Sequence, residues 1–426
     1  RAGYSFIIEN TASLSHSLQN GYPYKSVKTS QIAYNDTCFY KRLTVTDGLT
    51  LNGRTGNVNL SGIASFQYIN DNMTLDQDFL PLDYFTLTQK RHEWAFTADF
   101  VAKSNPCKHY RWLIGAFGYL RRSHMSAPVT FFDYGLTHLI EENANKINPQ
   151  YPLRWDNREL YLGSDFTMPS AGGSFYHEST ASLGRFTASL GLRWDWERAE
   201  IQYHSDSEST YSVYHITDKG EEIYSPAIPV SVHESGTLSK TFAQLLPKLT
   251  LSYTLPSDKG NVFLSFTKGY KAGGYNTQMF SDVLQQRIMA KVGLDQRYDI
   301  NDIISYNPEK TWNYEIGTHL NLVDGKLDVD ATLFWIECRD QQLTMFPEGS
   351  VTGRVMANAG KSRSRGVEIS AVCKLTDELT ARMAYGFTDA RFTDFNNGRK
   401  NYSGCHVPYA PVNTIFAGVS YTHDFR

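Results

Sequence analysis

The chain has 426 residues, with 41 basic and 44 acidic side chains and a net charge of -3, so no nucleic-acid partner is expected. Its mean hydropathy is -0.41, although aromatic residues make up 14% of the sequence. No apolar run approaches the roughly 18 residues of a membrane-spanning helix, which excludes a helical membrane protein. A membrane β-barrel is still possible, because its strands alternate apolar and polar residues.

Alternation of apolar and polar residues is the dominant pattern along the chain. In "RFTASLGLRWDWE", from Arg185 to Glu197, six apolar residues fall on one face and polar residues fall on the other. Several alternating runs extend for about 10 to 15 residues, the length that a tilted strand needs to cross a bilayer, whereas soluble strands average about 5 to 6. In chain order the other clear runs are "EWAFTADFVA", "KLTLSYTL", "DGKLDVDATLFW" and "LTARMAYGF".

The connections between these runs alternate between short and long. Tight turns rich in Gly, Asp and Ser are expected at 182–185, 256–260, 323–326 and 376–378. Long loops are expected at 123–172, 200–239, 271–308 and 394–411. Short turns at one end and long loops at the other are typical of an outer-membrane barrel, with the turns in the periplasm and the loops outside.

The alternation predicts about fourteen strands and one domain that spans residues 1–426. The strands are expected to begin near residues 3, 31, 57, 91, 109, 173, 185, 240, 261, 309, 325, 354, 378 and 412. The predicted fold class is therefore all-β, a transmembrane antiparallel β-barrel. Charged residues in the polar phase, such as Arg193 and Arg382, are expected to face the lumen, because a cation facing lipid costs roughly 2 to 4 kcal/mol at the midplane.

No pattern of a catalytic or metal site stands out. The five cysteines are far apart and odd in number, so they suggest neither a zinc site nor a complete disulfide framework. His204 and His215, in a predicted loop, have no ligand partner at close spacing, and "SDSES" at 205–209 lacks the spacing of a calcium loop. No Ser, His and Asp set can be recognised from order alone. The chain is not predicted to be an enzyme, and no cofactor is expected.

The glycine-rich stretch "GNVFLSFTKGYKAGGYN", from Gly260 to Asn276, lacks the G-x-x-x-x-G-K pattern of a phosphate loop. Val262, Leu264 and Phe266 are expected to face lipid, and "GYKAGGYN" is expected to carry the strand over the outer rim into a long loop.

Four segments together resemble one family. "LPKLTLSYTLPSDKGNVFLSFTKGYKAGGYN", "YNPEKTWNYEIGTHLNLVDGKLDVDATLFWIECRDQQL", "NAGKSRSRGVEISAVCKLTDELTARMAYGFTDARF" and "VPYAP" resemble the barrel of TonB-dependent outer-membrane receptors. The resemblance is strong from about 240 to 426 and weaker before that, where it rests on "LIGAFGYLRR" and "ASLGRFTASLGLRWDWE".

The resemblance implies a barrel of the 22-stranded type with a plugged lumen, in the outer membrane of a Gram-negative bacterium and in contact with its lipid. It also implies energy supplied by TonB, through a plug and a TonB box that have no counterpart in this sequence. The resemblance also implies further strands after "YTHDFR", about four at each end of the chain, to complete the barrel. The sequence is therefore expected to be a fragment, an incomplete barrel of about fourteen strands.

The function implied is active uptake of a scarce solute, with a ferric siderophore or similar iron complex expected. Cationic and aromatic side chains in the loops would suit an anionic, aromatic chelate. The candidates are Arg121, Arg122 and His124 at one rim, Trp155 and Arg158 in the longest loop, and Tyr270, Lys271 and Tyr275 at another rim.

Three alternatives stay open at this stage. The same aromatic and basic residues could form the interfacial belt and meet lipid headgroups. The barrel could be a passive channel or a surface-interaction protein, which fits the alternation but does not explain the ordered motifs. A soluble multistranded enzyme or carbohydrate-binding protein is disfavoured by the strand length. The solute is not determined, because receptors for glycans, cobalamin and haem share the architecture.

Overall fold

The computed structural model describes residues 38–76, 82–105, 109–277, 280–291, 304–345 and 355–423. The predicted strand near residue 3 lies outside these residues. Eighteen strands are present in the described part of the chain. They are β1 (Phe39–Thr55), β2 (Val58–Asp76), β3 (Phe85–Ser104), β4 (Tyr110–Ser126), β5 (Val129–Phe131), β6 (Leu153–Trp155), β7 (Leu160–Leu183), β8 (Phe186–Ile216), β9 (Glu222–Tyr224), β10 (Ile228–Thr254), β11 (Gly260–Lys271), β12 (Gly274–Tyr275), β13 (Ser305–Tyr306), β14 (Glu309–Leu322), β15 (Leu327–Met345), β16 (Val355–Lys374), β17 (Leu379–Phe395) and β18 (Asn413–Tyr421).

The helices are short and lie in the long connections. They are α1 (Asp133–Gly135), a π-helical segment (Leu136–Glu141), α2 (Glu142–Ile147), a 3-10 turn (Pro256–Asp258) and α3 (Phe280–Lys291). None of the helices in the described ranges combines bilayer-spanning length with an apolar sequence.

The long strands form one antiparallel sheet in which each strand pairs with the next long strand along the chain. Its order is β1-β2-β3-β4-β7-β8-β10-β11-β14-β15-β16-β17-β18. This up-and-down order follows from the tight turns at one end of the sheet. At the turn between β7 and β8, Leu183 pairs with Phe186, and Gly184 has a φ of +60°, a conformation that glycine adopts without steric cost.

One face of the sheet carries a continuous band of exposed apolar side chains. On β8 the exposed fractions are 67% for Phe186, 62% for Leu190 and 45% for Trp194, while Asp195 between the two tryptophans is 8% exposed. Leu190 lies opposite Leu249 of β10, so the band continues across neighbouring strands. Exposed apolar residues in this arrangement indicate the face that borders lipid, and the opposite face is the inner one.

The polarity of the two faces is reversed beyond Trp196, towards the long connections. Ile201 and Ser205, in the inner phase of β8, are fully buried, whereas Gln202 and His204 in the outer phase are exposed. The strands therefore continue well past the lipid band into water. At this level the inner face packs against protein and the outer face is hydrated.

This extension corrects two predicted loops. The segment predicted as a loop at 200–239 is mostly strand, because β8 runs to Ile216 and β10 begins at Ile228. The predicted loop at 123–172 is shorter too, since β7 begins at Leu160 rather than near 173. His204 and His215 accordingly lie on β8 and not in a loop.

The serine-rich segment at 205–209 shows why the sequence was misleading there. Ser205, Ser207 and Ser209 alternate with acidic residues and are at most 7% exposed. The Ser205 hydroxyl lies 3.2 Å from the Ser164 hydroxyl, and the Ser207 hydroxyl donates to the Tyr161 carbonyl at 2.8 Å. Buried serines of this kind have the composition of a loop but the hydrogen bonding of a packed strand.

The connections on this side of the membrane fold into an apolar cluster, here called the loop core. It contains Val129, Phe131, Leu136, Ile140, Ala144, Leu153, Trp155, Leu160, Leu162, Val230, Val232, Leu284 and Ile288. These residues come from the helices, from the outer ends of β7 and β10, and from the two short strands β5 and β6. An ion pair of 3.1 Å between Arg287 of α3 and Glu234 of β10 ties the helix to the strand wall.

The assignment of the lipid face can be tested with two adjacent residues of β8. Leu190→Arg places a cation in lipid and is expected to lower the free energy of unfolding by about 2 to 4 kcal/mol. Ser189→Arg places the same charge on the inner face and removes the 2.8 Å hydrogen bond with Thr180. The free energy of unfolding is therefore expected to fall by only about 1 kcal/mol. Denaturant titration of the full-length protein in lipid vesicles measures both, and equal losses would show that the faces are assigned incorrectly.

Candidate functional site

Charged and phenolic side chains gather on the inner face where the lipid band ends. Six of them form what is here called the luminal cluster: Tyr119, Arg121, Arg193, Asp195, Glu197 and Tyr270. On β4, Tyr119 and Arg121 flank Leu120, which is 53% exposed in the lipid band. Because neighbouring residues of a strand point to opposite faces, both side chains lie on the inner face. The acids and Arg193 occupy the same phase of β8.

Arg193 organises one side of the cluster. Its Nε donates to the Asp195 carboxylate at 2.6 Å, and its guanidinium lies 5.4 Å and 5.8 Å from the ring centres of Tyr176 and Phe117. The Tyr176 hydroxyl in turn donates to Asp99 at 2.7 Å. The Arg193 charge is therefore compensated by Asp195 and held between aromatic faces.

The two acids of β8 also lie near phenols. Glu197 is close to Tyr119, and Asp195 is close to Tyr270. Tyr270 belongs to β11, which pairs with β10 only as far as Thr267. Arg193 is paired with Asp195, whereas Arg121, the other cation of the cluster, forms no ion pair within the described residues.

A segment that follows β11 extends over the inner wall and adds two further phenols. Gly274 and Tyr275 pair with Ser305 and Tyr306 as β12 and β13. The close approach requires a glycine at position 273, where a Cβ would lie 2.5 Å from the Tyr306 carbonyl oxygen and 2.6 Å from the Phe242 ring.

The hydroxyl groups of Tyr275 and Tyr306 remain protonated at neutral pH. Burial raises the pKa of Tyr306 and of Tyr275. The Arg121 guanidinium is close enough to Tyr306 to oppose part of that rise. Tyr119 and Tyr306 therefore both lie near Arg121, and their rings carry hydroxyl groups and faces that a planar ligand could stack against.

The structure separates the three residues that the sequence placed together at one rim. Arg121 lies in the luminal cluster, but Arg122 pairs with Trp94 of β3 in the lipid-facing phase. His124 lies on the same outer face, where its Nδ1 is 3.0 Å from the Thr167 hydroxyl. Arg122 and His124 thus point away from the lumen, a correction that follows from the period of two along β4.

The two candidates from the longest loop differ in exposure. Trp155 is 4% exposed within the loop core, where its ring stacks on Tyr211 with a centroid distance of 5.9 Å. Its backbone N–H donates to Glu141 at 2.7 Å. Arg158 is exposed and forms an ion pair with Asp133. Trp155 is therefore a packing residue, and the Arg158 charge is already compensated.

The remaining candidates lie at the end of β11 and just after it. Tyr270 is part of the luminal cluster, and Lys271 is exposed at the last position of the strand. Tyr275 is half-buried against a second apolar group that includes Phe280 of α3. Of the eight predicted residues, the structure places Arg121 and Tyr270 in the luminal cluster, Lys271 at the end of β11 and Tyr275 on the segment that follows.

Sequence reasoning missed Tyr119, Asp195, Glu197 and Tyr306 as candidates. Three of them had a signal that was visible in the sequence. These three are Tyr119, Asp195 and Glu197. Each lies on the inner face directly beside the last apolar residue of the lipid-facing side of its strand, which is Leu120 on β4 and Trp196 on β8. Tyr306 had none, because its position depends on the pairing of β12 with β13.

A second charged group lies on the inner face above the lipid band, on β1 to β3. The Asp71 carboxylate, 5% exposed, accepts from Arg42 Nε at 2.6 Å and from Arg91 Nη2 at 2.6 Å. Hydrogen bonding to Arg42, followed by that to Arg91, lowers the pKa of Asp71 to about 2. The group joins three strands at their outer ends.

This carboxylate predicts a pH dependence. Because its pKa is lower in the folded state, Asp71 contributes stability above its unfolded pKa of about 3.9, and this contribution is lost as pH falls towards 2. Asp71→Asn is expected to reduce the free energy of unfolding at pH 7 by roughly 2 kcal/mol and to have little effect near pH 2. Glu208→Gln, at a 75% exposed side chain, is the control. A difference between wild type and Asp71→Asn that stays constant across this pH range would contradict the assignment.

Trp155 and Arg158 allow a matched test of their roles. Trp155→Ala removes a buried ring and is expected to destabilise the loop core by about 3 to 5 kcal/mol, whereas Arg158→Ala should cost under 1 kcal/mol. Faster limited proteolysis between residues 127 and 159 in the Trp155 variant alone is the expected result. Similar cleavage in both variants would argue against a packing role for Trp155.

Comparison with known proteins gives a consistent picture. The family described as "TonB dependent receptor-like, beta-barrel" matches residues 2–426. The pesticin receptor of Yersinia enterocolitica is 29% identical over 289 residues, which is 67% of this chain and 37% of that protein. The metal-pseudopaline receptor CntO of Pseudomonas aeruginosa is 29% identical over 104 residues, or 24% of this chain and 14% of that protein.

A solved structure shares the fold. The ferric yersiniabactin uptake receptor FyuA from Yersinia pestis has a TM-score of 0.62 and 18% identity, with 91% of this chain and 48% of that chain covered. The chain spans less than half the length of these relatives. The strand order, the lipid-facing band and the family match agree, and the chain belongs to the β-barrel family of TonB-dependent receptors, which are outer-membrane proteins of Gram-negative bacteria.

Proposed function

We propose that the full-length protein takes up a metal chelate across the outer membrane, with a ferric siderophore as the expected solute and TonB as the source of energy. The observation that carries this proposal is Arg121, a guanidinium on the inner wall that forms no ion pair within the described residues and has Tyr119 and Tyr306 in its vicinity. A cation without an ion-pair partner and with phenols nearby suits an anionic ligand with an aromatic ring.

The names of the relatives support a chelated metal as the solute. One relative is a receptor for metal-pseudopaline, and the structural relative takes up ferric yersiniabactin. Both names pair a metal with a named partner, pseudopaline in one and yersiniabactin in the other. The same class of solute is therefore proposed here, and the individual chelator is not assigned.

The proposed binding surface is narrower than the eight residues selected from the sequence. It consists of Arg121 with Tyr270, Lys271 and Tyr275, and it adds Tyr119 and Tyr306. Arg121 would bind a carboxylate or phenolate through two parallel hydrogen bonds. The tyrosines supply hydroxyl donors and ring faces at little conformational cost.

We propose that residues 1–426 are the barrel portion of a longer receptor, and that a plug in the lumen connects it to TonB. On this proposal the luminal cluster forms the wall that faces the plug, and a ligand would be held between them.

The proposal predicts opposite results for two adjacent arginines. Arg121→Ala is expected to weaken binding about tenfold or more, because a hydrogen bond to a charged group contributes roughly 1.5 to 3 kcal/mol. Arg122→Ala removes the same charge from the outer face and should leave binding unchanged. Binding of radiolabelled ferric yersiniabactin and of a ferric catecholate to cells that express the full-length protein measures both variants. If a probe binds to wild type and to Arg121→Ala with equal affinity, the assignment of Arg121 to the binding site is contradicted.

Energy coupling has its own test. Accumulation of the bound chelate is expected to stop in a strain that lacks TonB, while surface binding persists. Undiminished accumulation in that strain would favour a passive channel over an active receptor.

A further inference from the structure

The outer face of β15, β16 and β17 carries a cluster of arginines directly beyond the apolar band. Leu333, Val367 and Phe387 lie side by side in the last apolar row, and Leu333 is 56% exposed. The next outer row consists of Trp335, Arg365 and Asp389. The row after that consists of Glu337, Arg363 and Arg391.

The arginines of these two rows are held in place by their neighbours. Asp389, with a side chain only 12% exposed, accepts from Arg391 Nε at 2.7 Å and from Arg365 Nη2 at 3.1 Å. Arg391 also donates through Nη1 to the Gly404 carbonyl at 3.1 Å. The Asp389 carboxylate thereby brings two guanidiniums to one point of the outer wall.

Arg363 completes the cluster from the side of Trp335. Its guanidinium lies 5.0 Å from the centre of the Trp335 ring, and that of Arg365 lies 5.9 Å from it. Within the described residues Arg363 forms no ion pair. Three guanidiniums are therefore fixed around one tryptophan and one carboxylate, so their charge is only partly compensated.

The position of this cluster decides which ligand it can meet. The cluster lies on the face of the sheet that borders lipid. It occupies the rows that directly follow the apolar band, at the end of the strands where the long connections are. A molecule whose tails lie along Leu333 and Phe387 would place its headgroup beside Arg363, Arg365 and Arg391. The solute of the lumen cannot reach these residues, because they lie on the opposite side of the strands.

We propose that Arg363, Arg365, Arg391 and Trp335 form a binding site for the phosphorylated headgroup of an outer-leaflet lipid. Arginine matches phosphate in a bidentate geometry, and more than one guanidinium can share the oxygens of one phosphate. Basic residues beside anionic headgroups bind them at membrane surfaces. Trp335 provides the interfacial ring on which the cations rest. This site is independent of the proposed transport function.

The test uses the full-length protein purified in a zwitterionic detergent and titrated with diphosphorylated lipid A, followed by native mass spectrometry. The variant Arg363→Gln/Arg365→Gln/Arg391→Gln is expected to bind at least tenfold more weakly than wild type. The control variant Arg185→Gln/Lys219→Gln/Lys326→Gln removes the same charge from turns away from the cluster and should bind like wild type. Equal binding by all three proteins would overturn the proposal.

Two further probes separate the headgroup from its possible substitutes. Dephosphorylated lipid A is expected to bind wild type at least tenfold more weakly than the diphosphorylated lipid, and equal binding would show that only the apolar band is involved. Inorganic phosphate is expected to compete poorly, whereas strong competition would indicate a site for free phosphate and overturn the lipid assignment.

A further variant and a folding assay serve as controls for this test. Arg363→Lys/Arg365→Lys/Arg391→Lys keeps the charge without the bidentate geometry and is expected to show an intermediate loss. Heat-modifiable migration on gels reports whether each variant retains the barrel. Should the Gln variant fail to fold, the two probes on wild type decide the question.

Discussion

A strand that crosses a bilayer must satisfy its backbone hydrogen bonds with neighbouring strands, because lipid provides no donors or acceptors. The long strands of this chain meet that requirement by pairing with the next long strand along the sequence. Once the pairing is set, the period of two assigns every side chain to lipid or to the interior. The positions of Leu190 in the apolar band, of Arg121 in the luminal cluster and of Arg365 on the outer wall all follow from this one constraint.

The same strands pass through two environments, and the chemistry of the inner face changes with depth. At the level of the lipid band it is polar, with Ser265 and Arg193 as examples. Beyond Trp196 it becomes the packed side of a small water-soluble structure, with Ile201 and the loop core. The luminal cluster lies at the transition between these levels. An ordered barrel wall and a folded loop layer both border it, which is a suitable position for capturing a ligand.

The fold could be predicted from the sequence to a large extent, and the site only in part. Strand starts at tight turns, such as Val58, Phe186 and Gly260, lie within two residues of their predicted positions, because glycine and aspartate mark those turns. The outer halves of β8 and β10 were mistaken for loops because small polar residues such as Ser205 occupy their buried positions. Residue type and a predicted position at a rim or in a loop point to Arg121 and Tyr270, but the same criteria also point to Trp155, which is buried in the loop core.

The sequence by itself determined the class of the protein: long alternating strands, short turns at one end, long connections at the other, and the motifs of one receptor family. Alternation is a local property, so it can be read without knowing which strands are neighbours. Only the tertiary structure decided which charges meet. Arg42 with Asp71, Tyr176 with Asp99 and Arg365 with Asp389 depend on register and on the direction of each side chain. These are relations between strands, and no single segment of the sequence encodes them.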